Sequence, residues 1–502
     1  MSKNGWTLAL LSVALLAFVS ASVSAQTDVY ASGVVQWEYL YNTDDDIESS
    51  VSDARVDLDI GVGPLTLGAV YRAYQLSDPA YNPAGKDIPA ATVKHRYVAF
   101  EYEDIDLRAG HFFATFGRGL TLRSYENADL EHDTVLDGII ADYDAGVLGL
   151  TALAGTAKED ESGTRFYTHV VRGARAAMPV GEWFEIAGSI VERSRTLEDE
   201  DATIHPDYAR FEDGVLGAEL SGWVGPLTFG GEYAERSGEN PETGDPSEDV
   251  QGHATYASGT LDLGWGTLFG EFKEFDDFAH SLVNPPTCVR EHLWTLMNRA
   301  TYEVDLNDER GFLVEGSTTL GDAFFVTGGA SEARSHNRDL RHWEMFGHAT
   351  YDVGSDVTLG AAGSRSREYL FGAEGGTGKF TEHTTGVAEV DFTVAGDQTV
   401  ELTLEMQRTK DPAFDDVQKD YVASFAWYPG LDLTISGVYE KTTADWEERE
   451  TWTMLSVRKS FDNDLEAEFA AGTERGGKKC AGGICRYEPE FEGVRFRFTK
   501  FF

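Results

Sequence analysis

The stretch that decides the fold is Glu492-Gly493-Val494-Arg495-Phe496-Arg497-Phe498-Thr499-Lys500-Phe501-Phe502. Side chains of a β-strand point alternately to its two faces. Val494, Phe496 and Phe498 therefore share one face, and Gly493, Arg495, Arg497 and Thr499 share the other. An apolar face backed by a charged face is what a wall between lipid and water requires.

Working outward, the same pattern recurs along the chain. In Ala54–Val62, the residues Ala54, Val56, Leu58, Ile60 and Val62 oppose Arg55, Asp57, Asp59 and Gly61. Leu65, Leu67, Ala69 and Tyr71 alternate with Thr66, Gly68, Val70 and Arg72. Val400, Leu402, Leu404 and Met406 alternate with Thr399, Glu401, Thr403, Glu405 and Gln407. A soluble sandwich also alternates, but it seldom carries long charged runs on one face of so many strands.

Short and long connections follow one another. Short turns are expected near Gly63-Pro64, Glu103-Asp104, Ala145-Gly146, Val180-Gly181, Gly225-Pro226, Leu263-Gly264, Gly321-Asp322, Gly354-Ser355, Ala395-Gly396, Pro429-Gly430 and Asn463-Asp464. Long polar loops are expected at 42–49, 76–91, 117–134, 157–163, 194–210, 237–249, 276–311, 335–340, 370–380, 411–416, 443–448 and 476–486. This spacing predicts an all-β, transmembrane, antiparallel up-and-down β-barrel of about 24 strands (roughly 22–26), with short periplasmic turns and longer extracellular loops. Glu291–Tyr302 reads as either one more strand or a short helix within its loop. Trp183, Trp223, Trp265, Trp427 and Tyr428 lie near the turns, as an interfacial girdle would. Val62–Gly68 and Val224–Gly230 share a Val-Gly-Pro-Leu-Thr-x-Gly pattern, a sign of hairpin duplication.

Composition agrees. The chain has 502 residues, net charge −45 and 41% hydrophobic residues. That apolar share is low for a helical membrane protein but suits a barrel, in which about every second strand residue faces water. The acidity disfavours nucleic acid as a partner. It suits loops bridged to lipopolysaccharide through divalent cations, a cation-favouring lumen, or plain solubility in a saline habitat.

Lys3, the apolar run Trp6–Val19 and the small residues Val23-Ser24-Ala25 read as a signal peptide over 1–25, leaving 26–502 as the barrel. Cys480 and Cys485 bracket Ala-Gly-Gly-Ile and would form a small disulfide in an oxidising compartment, with Cys288 left over. Incidental loop thiols are the plainer reading. No metal site is expected, because no His or third Cys completes a ligand set.

The alternation breaks in Gly110–Glu126 and on through Asp129, Asp133 and Asp137-Gly138. Gly117 and Gly119 flank Arg118 and permit a sharp bend. Arg118 and Arg123, followed by Glu126, Asp129 and Asp133, read as a loop that bends into the lumen and is crosslinked to the wall. Such a loop would form a constriction, with Arg55, Asp57, Arg72 and Arg108 as further lumen-lining candidates. The plainer reading is a salt-bridge network that only fixes the loop. His111, His132, His280, His292, His342 and His348 are candidates for a rim enzyme, but no nucleophile, base and orienter share a spacing.

The ending on Phe502 resembles the C-terminal signal that the barrel-assembly machinery reads on bacterial outer-membrane barrels. The motif Phe-Gly-Arg-Gly-Leu (116–120), Leu-Arg-Ser-Tyr-Glu (122–126) and Leu-Asp-Gly (136–138) resembles a Bacteroidetes-type outer-membrane barrel family of unknown function. Asn307–Phe312 resembles a second shared segment. The resemblance implies the barrel fold and an outer-membrane location, and it brings no activity, cofactor or catalytic residues. The expectation is a porin-like channel for passive or weakly selective transport of small solutes, without cofactor, a monomer set in outer-membrane lipid. The alternatives are a plugged barrel that scaffolds a surface or periplasmic partner, and a rim hydrolase.

Overall fold

In a computed structural model of the chain, 24 antiparallel strands are hydrogen-bonded into one sheet. The structure describes residues 29–43, 49–78, 82–84, 88–160, 165–199, 210–239, 249–278, 282–299, 302, 304–336, 340–369, 380–396, 398–411, 417–444, 447–481 and 484–502. The expected signal peptide lies outside these residues. The terminal strand Phe491–Phe501 pairs with Leu465–Glu474 on one side and with the first strand, Val29–Asn42, on the other. Val34 stands opposite Phe501 and Asn42 opposite Gly493, so the sheet closes on itself. Closure leaves no unpaired strand edge, which is the condition for a sheet to sit in lipid.

Burial follows the alternation. Leu402, Leu404 and Met406 are exposed on the outside, while Glu405 and Gln407 are buried inside. Leu65 and Leu67 are outward, and Val70 and Arg72 point into the barrel. The eleven expected short turns all fall between paired strands. At Gly63-Pro64 and Gly225-Pro226 the glycine takes φ +58° and +57°, a conformation that side chains disfavour, and the proline ends the bend. Trp183, Trp223, Trp265 and Trp427 are exposed at the turn end, with the Trp183 and Trp223 rings 6.1 Å apart. Tyr428 corrects the girdle expectation: it turns inward and donates to Glu401 Oε2 at 3.1 Å, because it shares the parity of the inward residues. The described residues of Glu291–Tyr302 contribute no wall strand and hold one short 3-10 turn, Met297–Arg299.

Two long connections position the site. Residues 113–135 and the described part of 277–307 pack inside the barrel against its wall. Phe116, Leu122 and Leu282 join wall residues Leu153, Val171 and Val191 in one apolar cluster. Leu120, Phe278 and Val283 join Val215, Ala234, Ala254 and Leu313 in another.

A candidate constriction built by two infolded loops

The loop 113–135 leaves strand Ile105–Phe112 and returns to strand Leu136–Asp144, which pair directly. It is a fold within the barrel, made of two tiny hairpins, Thr115–Phe116 with Leu122–Arg123 and Glu126–Asn127 with His132–Asp133. Gly117, at φ +57°, sets the tip against the wall. A Cβ there would meet Glu232 Oε2 at 2.6 Å and Glu219 Cδ at 2.8 Å.

The acidic half of this loop docks on a basic arc. Arg55 donates from both guanidinium arms to Glu126, at 2.6 and 3.0 Å. Lys94 Nζ reaches the same carboxylate at 2.6 Å and Asp133 at 3.2 Å. Arg72 bridges Asp53 on its own wall and Glu131 on the loop, its closest contacts being 2.6 and 2.7 Å. His95 Nε2 meets Asp133 Oδ2 at 3.0 Å. Burial opposes charge on Glu126 and Asp133, but Arg55 and Lys94 outweigh it on the first and His95 and Lys94 on the second. Both carboxyls are held below their ordinary values, Asp133 far below.

Across the lumen, the tip is gripped by backbone and hydroxyl contacts. The Arg118 N–H donates to Glu232 Oε2 at 2.5 Å, and Thr121 Oγ1 lies 3.0 Å from Ser189 Oγ. The Arg118 side chain is exposed and lies against Gly230, with no ion pair among the described residues. Arg123 binds the second loop: its N–H donates to the Leu282 carbonyl at 2.7 Å and its Nη1 to the Asn284 carbonyl at 2.9 Å. Asn284 also donates to the Tyr125 hydroxyl.

The second loop docks on an acidic arc. Arg290 Nε lies 3.4 Å from Glu315, and His292 Nε2 lies 2.9 Å from Glu344. Trp294 Nε1 donates to Glu389 at 2.6 Å. Glu405 accepts the N–H groups of Thr295 and Leu296 at 3.3 and 2.8 Å. Arg299 pairs with Glu440 and, at 3.4 Å, with Asp420. Beneath the loop, Lys273 and Glu309 form an ion pair of 2.5 Å with both side chains fully buried, and Lys273 also donates to the Tyr302 hydroxyl.

Arg55, Glu126 and Asp133 thus meet in one network, joined through Lys94, while Arg72 holds the loop separately through Glu131. Arg118 and Arg123 do not pair with the acids that follow them, because the tip hairpin carries them to other surfaces. Asp129 is exposed and has no ion pair among the described residues. Asp57 lies next along the inward face from Arg55 and makes no ion pair there either. Arg108 sits over the Tyr97 ring, 3.4 Å from its centroid. Cys480 stands opposite Cys485 in the hairpin Gly477–Ala481/Ile484–Glu488, but the Cys480 side chain lies outside the described residues. Of the histidines, His111, His132, His292 and His348 contact the wall or neighbouring rings, and His280 lies outside the described residues.

Lys94, His95, Glu131 and the acids of the second arc were not legible as site residues. Lys94 is the extra residue of a β-bulge: Val70 pairs with His95 and Tyr71 with Val93. The bulge lets Lys94 and His95 both reach Asp133, which strict alternation forbids. Glu405 was readable as inward from its parity, and nothing local marked it as a loop anchor.

A family model described as a family of unknown function (DUF6029) matches residues 3–319 and 369–502. No curated protein sequence matches. Among solved structures, the chain is similar to the siderophore receptor PirA from Pseudomonas aeruginosa, at 9% identity and a TM-score of 0.48, covering 95% of this chain and 81% of that one. It is similar to the PapC translocation pore of the P pilus usher, at 10% identity and a TM-score of 0.45, covering 93% and 98%. It is also similar to OccK5 (OpdH) from Pseudomonas aeruginosa, at 10% identity and a TM-score of 0.37, covering 80% and 98%.

Proposed function

The chain belongs to this family of unknown function, and on that premise we propose that it is a bacterial outer-membrane channel of porin-like type, narrowed by its own loops. The observation that carries the reading is the pair of infolded loops, anchored to wall strands from Ser49–Val62 round to Leu433–Thr442. A ring of 24 strands encloses more space than side chains alone fill. Here a basic arc and an acidic arc face each other through the loops, and the exposed Arg118 stands in the remaining space. Fixed charges of opposite sign across a lumen orient water and select small solutes by charge. The reading assigns the protein no catalysis and no cofactor. It includes a monomer in the outer membrane, with long loops outward and the final strand to Phe502 read by the barrel-assembly machinery. It also includes a cleaved signal peptide and, through Phe116–Glu126, kinship with Bacteroidetes-type barrels.

The test is single-channel conductance of refolded protein in a planar bilayer, with folding checked by heat-modifiable gel migration. Steady ohmic steps, with a reversal potential set by charge, are the expected result. Silence from folded protein overturns the channel. It would favour a second reading, a plugged barrel that scaffolds a partner, for which the complete burial of Leu120, Leu122, Phe278 and Leu296 speaks.

A further inference from the structure

The outward face carries an unexpected concentration of positive charge. Strand Val357–Tyr369 turns Arg365 and Arg367 outward at its loop end, since Ser364 and Ser366 are buried inside. Both guanidinium groups flank Glu382, at 3.6 and 2.8 Å. On strand Gln398–Lys410, Arg408 and Lys410 are exposed and share the parity of the outward Leu404 and Met406. Lys419 shares the parity of the exposed Tyr421, and Lys441 that of the exposed Tyr439.

The register makes these one patch. Glu382 stands opposite Lys410, Arg408 opposite Lys419, and Tyr421 opposite Lys441. Arg408, Lys410, Lys419 and Lys441 have no ion-pair partner among the described residues, on a chain whose net charge is −45. Composition does not explain four cations side by side with no ion pair among the described residues. Toward the turn end on the same strands lies an apolar band, with Leu402, Leu404, Met406, Tyr421 and Phe425 exposed. The patch therefore sits where a lipid tail gives way to its headgroup. From Arg367 to Lys441 it spans four inter-strand steps of about 4.8 Å, roughly 20 Å in all. That is wider than one phosphate.

We propose that this basic patch, Arg365, Arg367, Arg408, Lys410, Lys419 and Lys441, is a binding site for a lipid headgroup bearing more than one phosphate, of the lipid A type, in the leaflet on the loop side. The side chains contact the phosphates directly, without a bridging divalent cation. The inference rests on the outer-membrane reading for its orientation and is independent of whether the lumen conducts.

The test uses folded, detergent-solubilised protein mixed with bisphosphorylated lipid A in the presence of EDTA, with retained lipid counted by native mass spectrometry. The comparison is a variant carrying R408Q, K410Q, K419Q and K441Q, all outward residues away from the lumen. Heat-modifiable migration checks its fold, and K410R with K441R is a charge-preserving control should the fourfold variant fail to fold. Expected are stoichiometric retention by the native chain and the control, at least a tenfold loss in the fourfold variant, and little retention of dephosphorylated lipid A. Equal retention by the fourfold variant overturns the site, as does loss of retention by the native chain in EDTA. Equal retention of a single-phosphate lipid, phosphatidylglycerol, overturns the specificity for a multiply phosphorylated headgroup. Failure of folded native chain to insert into any bilayer would instead bring down the outer-membrane reading.

Discussion

Arg55 on the barrel wall and Glu126 on the infolded loop meet arm to arm, with Nη1–Oε1 at 2.6 Å and Nη2–Oε2 at 3.0 Å. The pair is largely shielded, with side-chain exposures of 23% and 14%. Lys94 lies on the same carboxylate. Removing that carboxylate leaves two cations facing each other in a shielded space. Stranding a buried charge typically costs about 3–5 kcal/mol, less where water reaches it. Glu126→Gln should therefore release the loop 113–135 rather than unfold the barrel. Limited proteolysis of the folded variant should cut within the loop at least tenfold faster than in the native chain. An unchanged cleavage rate would show that the network does not hold the loop.

Arg118 tests the lumen rather than the scaffold. Its N–H anchors the tip, while its exposed guanidinium has no ion pair among the described residues. Arg118→Ala keeps the anchor and removes the charge. Stability should change by less than about 0.5 kcal/mol, as for ordinary exposed sites. The reversal potential in a salt gradient should shift toward cations. An unmoved potential in a conducting variant would take Arg118 out of the selective path.

The buried ion pair of Lys273 and Glu309 predicts a non-additive cycle. Lys273→Met alone leaves a buried carboxylate unpaired and should lower stability by about 3–5 kcal/mol. Lys273→Met with Glu309→Leu removes both charges and should recover most of that loss. Urea midpoints of the folded gel band measure both. Equal losses in the single and double variants would mean the pair is not coupled.

The pH dependence follows from Glu126 and Asp133, whose carboxyls are depressed by the partners named above. A depressed carboxyl contributes stability that is complete above its ordinary value, 4.5 for Glu126 and 3.8 for Asp133, and is lost as pH falls through its folded value. The loop should stay folded in from neutral pH down to about those values and open only in stronger acid. Protease protection of the loop across a pH series, with an acid-tolerant protease, reads this directly. Opening between pH 6 and 7 would place control with other groups.

Cys288 reports on the second loop. Its thiol is buried, and burial pushes it up to about 12. The thiolate is the reactive form, and at pH 7 it would be roughly one part in 10⁵. Native barrel should resist maleimide. Glu405→Ala strips the acceptor from the N–H groups of Thr295 and Leu296 and should raise the labelling rate at least tenfold. Rapid labelling of folded native chain would contradict the packing of this loop.

The sequence by itself determined the wall. Alternation is a local property with a period of two residues, so Ala54–Val62 or Val494–Phe498 declares its two faces without knowing its neighbours. The turns were equally local, because Gly63-Pro64 and Gly225-Pro226 bend wherever they stand. The break in alternation at Gly110–Glu126 also marked the chain that folds inward, and Arg55, Arg72, Glu126 and Asp133 were legible as charged groups of the lumen. Only the tertiary structure decided who meets whom. Arg55 and Glu126 are 71 residues apart, and Leu296 and Glu405 are 109 apart. Such pairings depend on the closed ring and on the path of two loops across it. The Lys94 bulge shows the same limit within a strand, because its extra residue is defined only against the partner strand. Local periodicity fixes which way a side chain points, and closure of the ring fixes what it finds there.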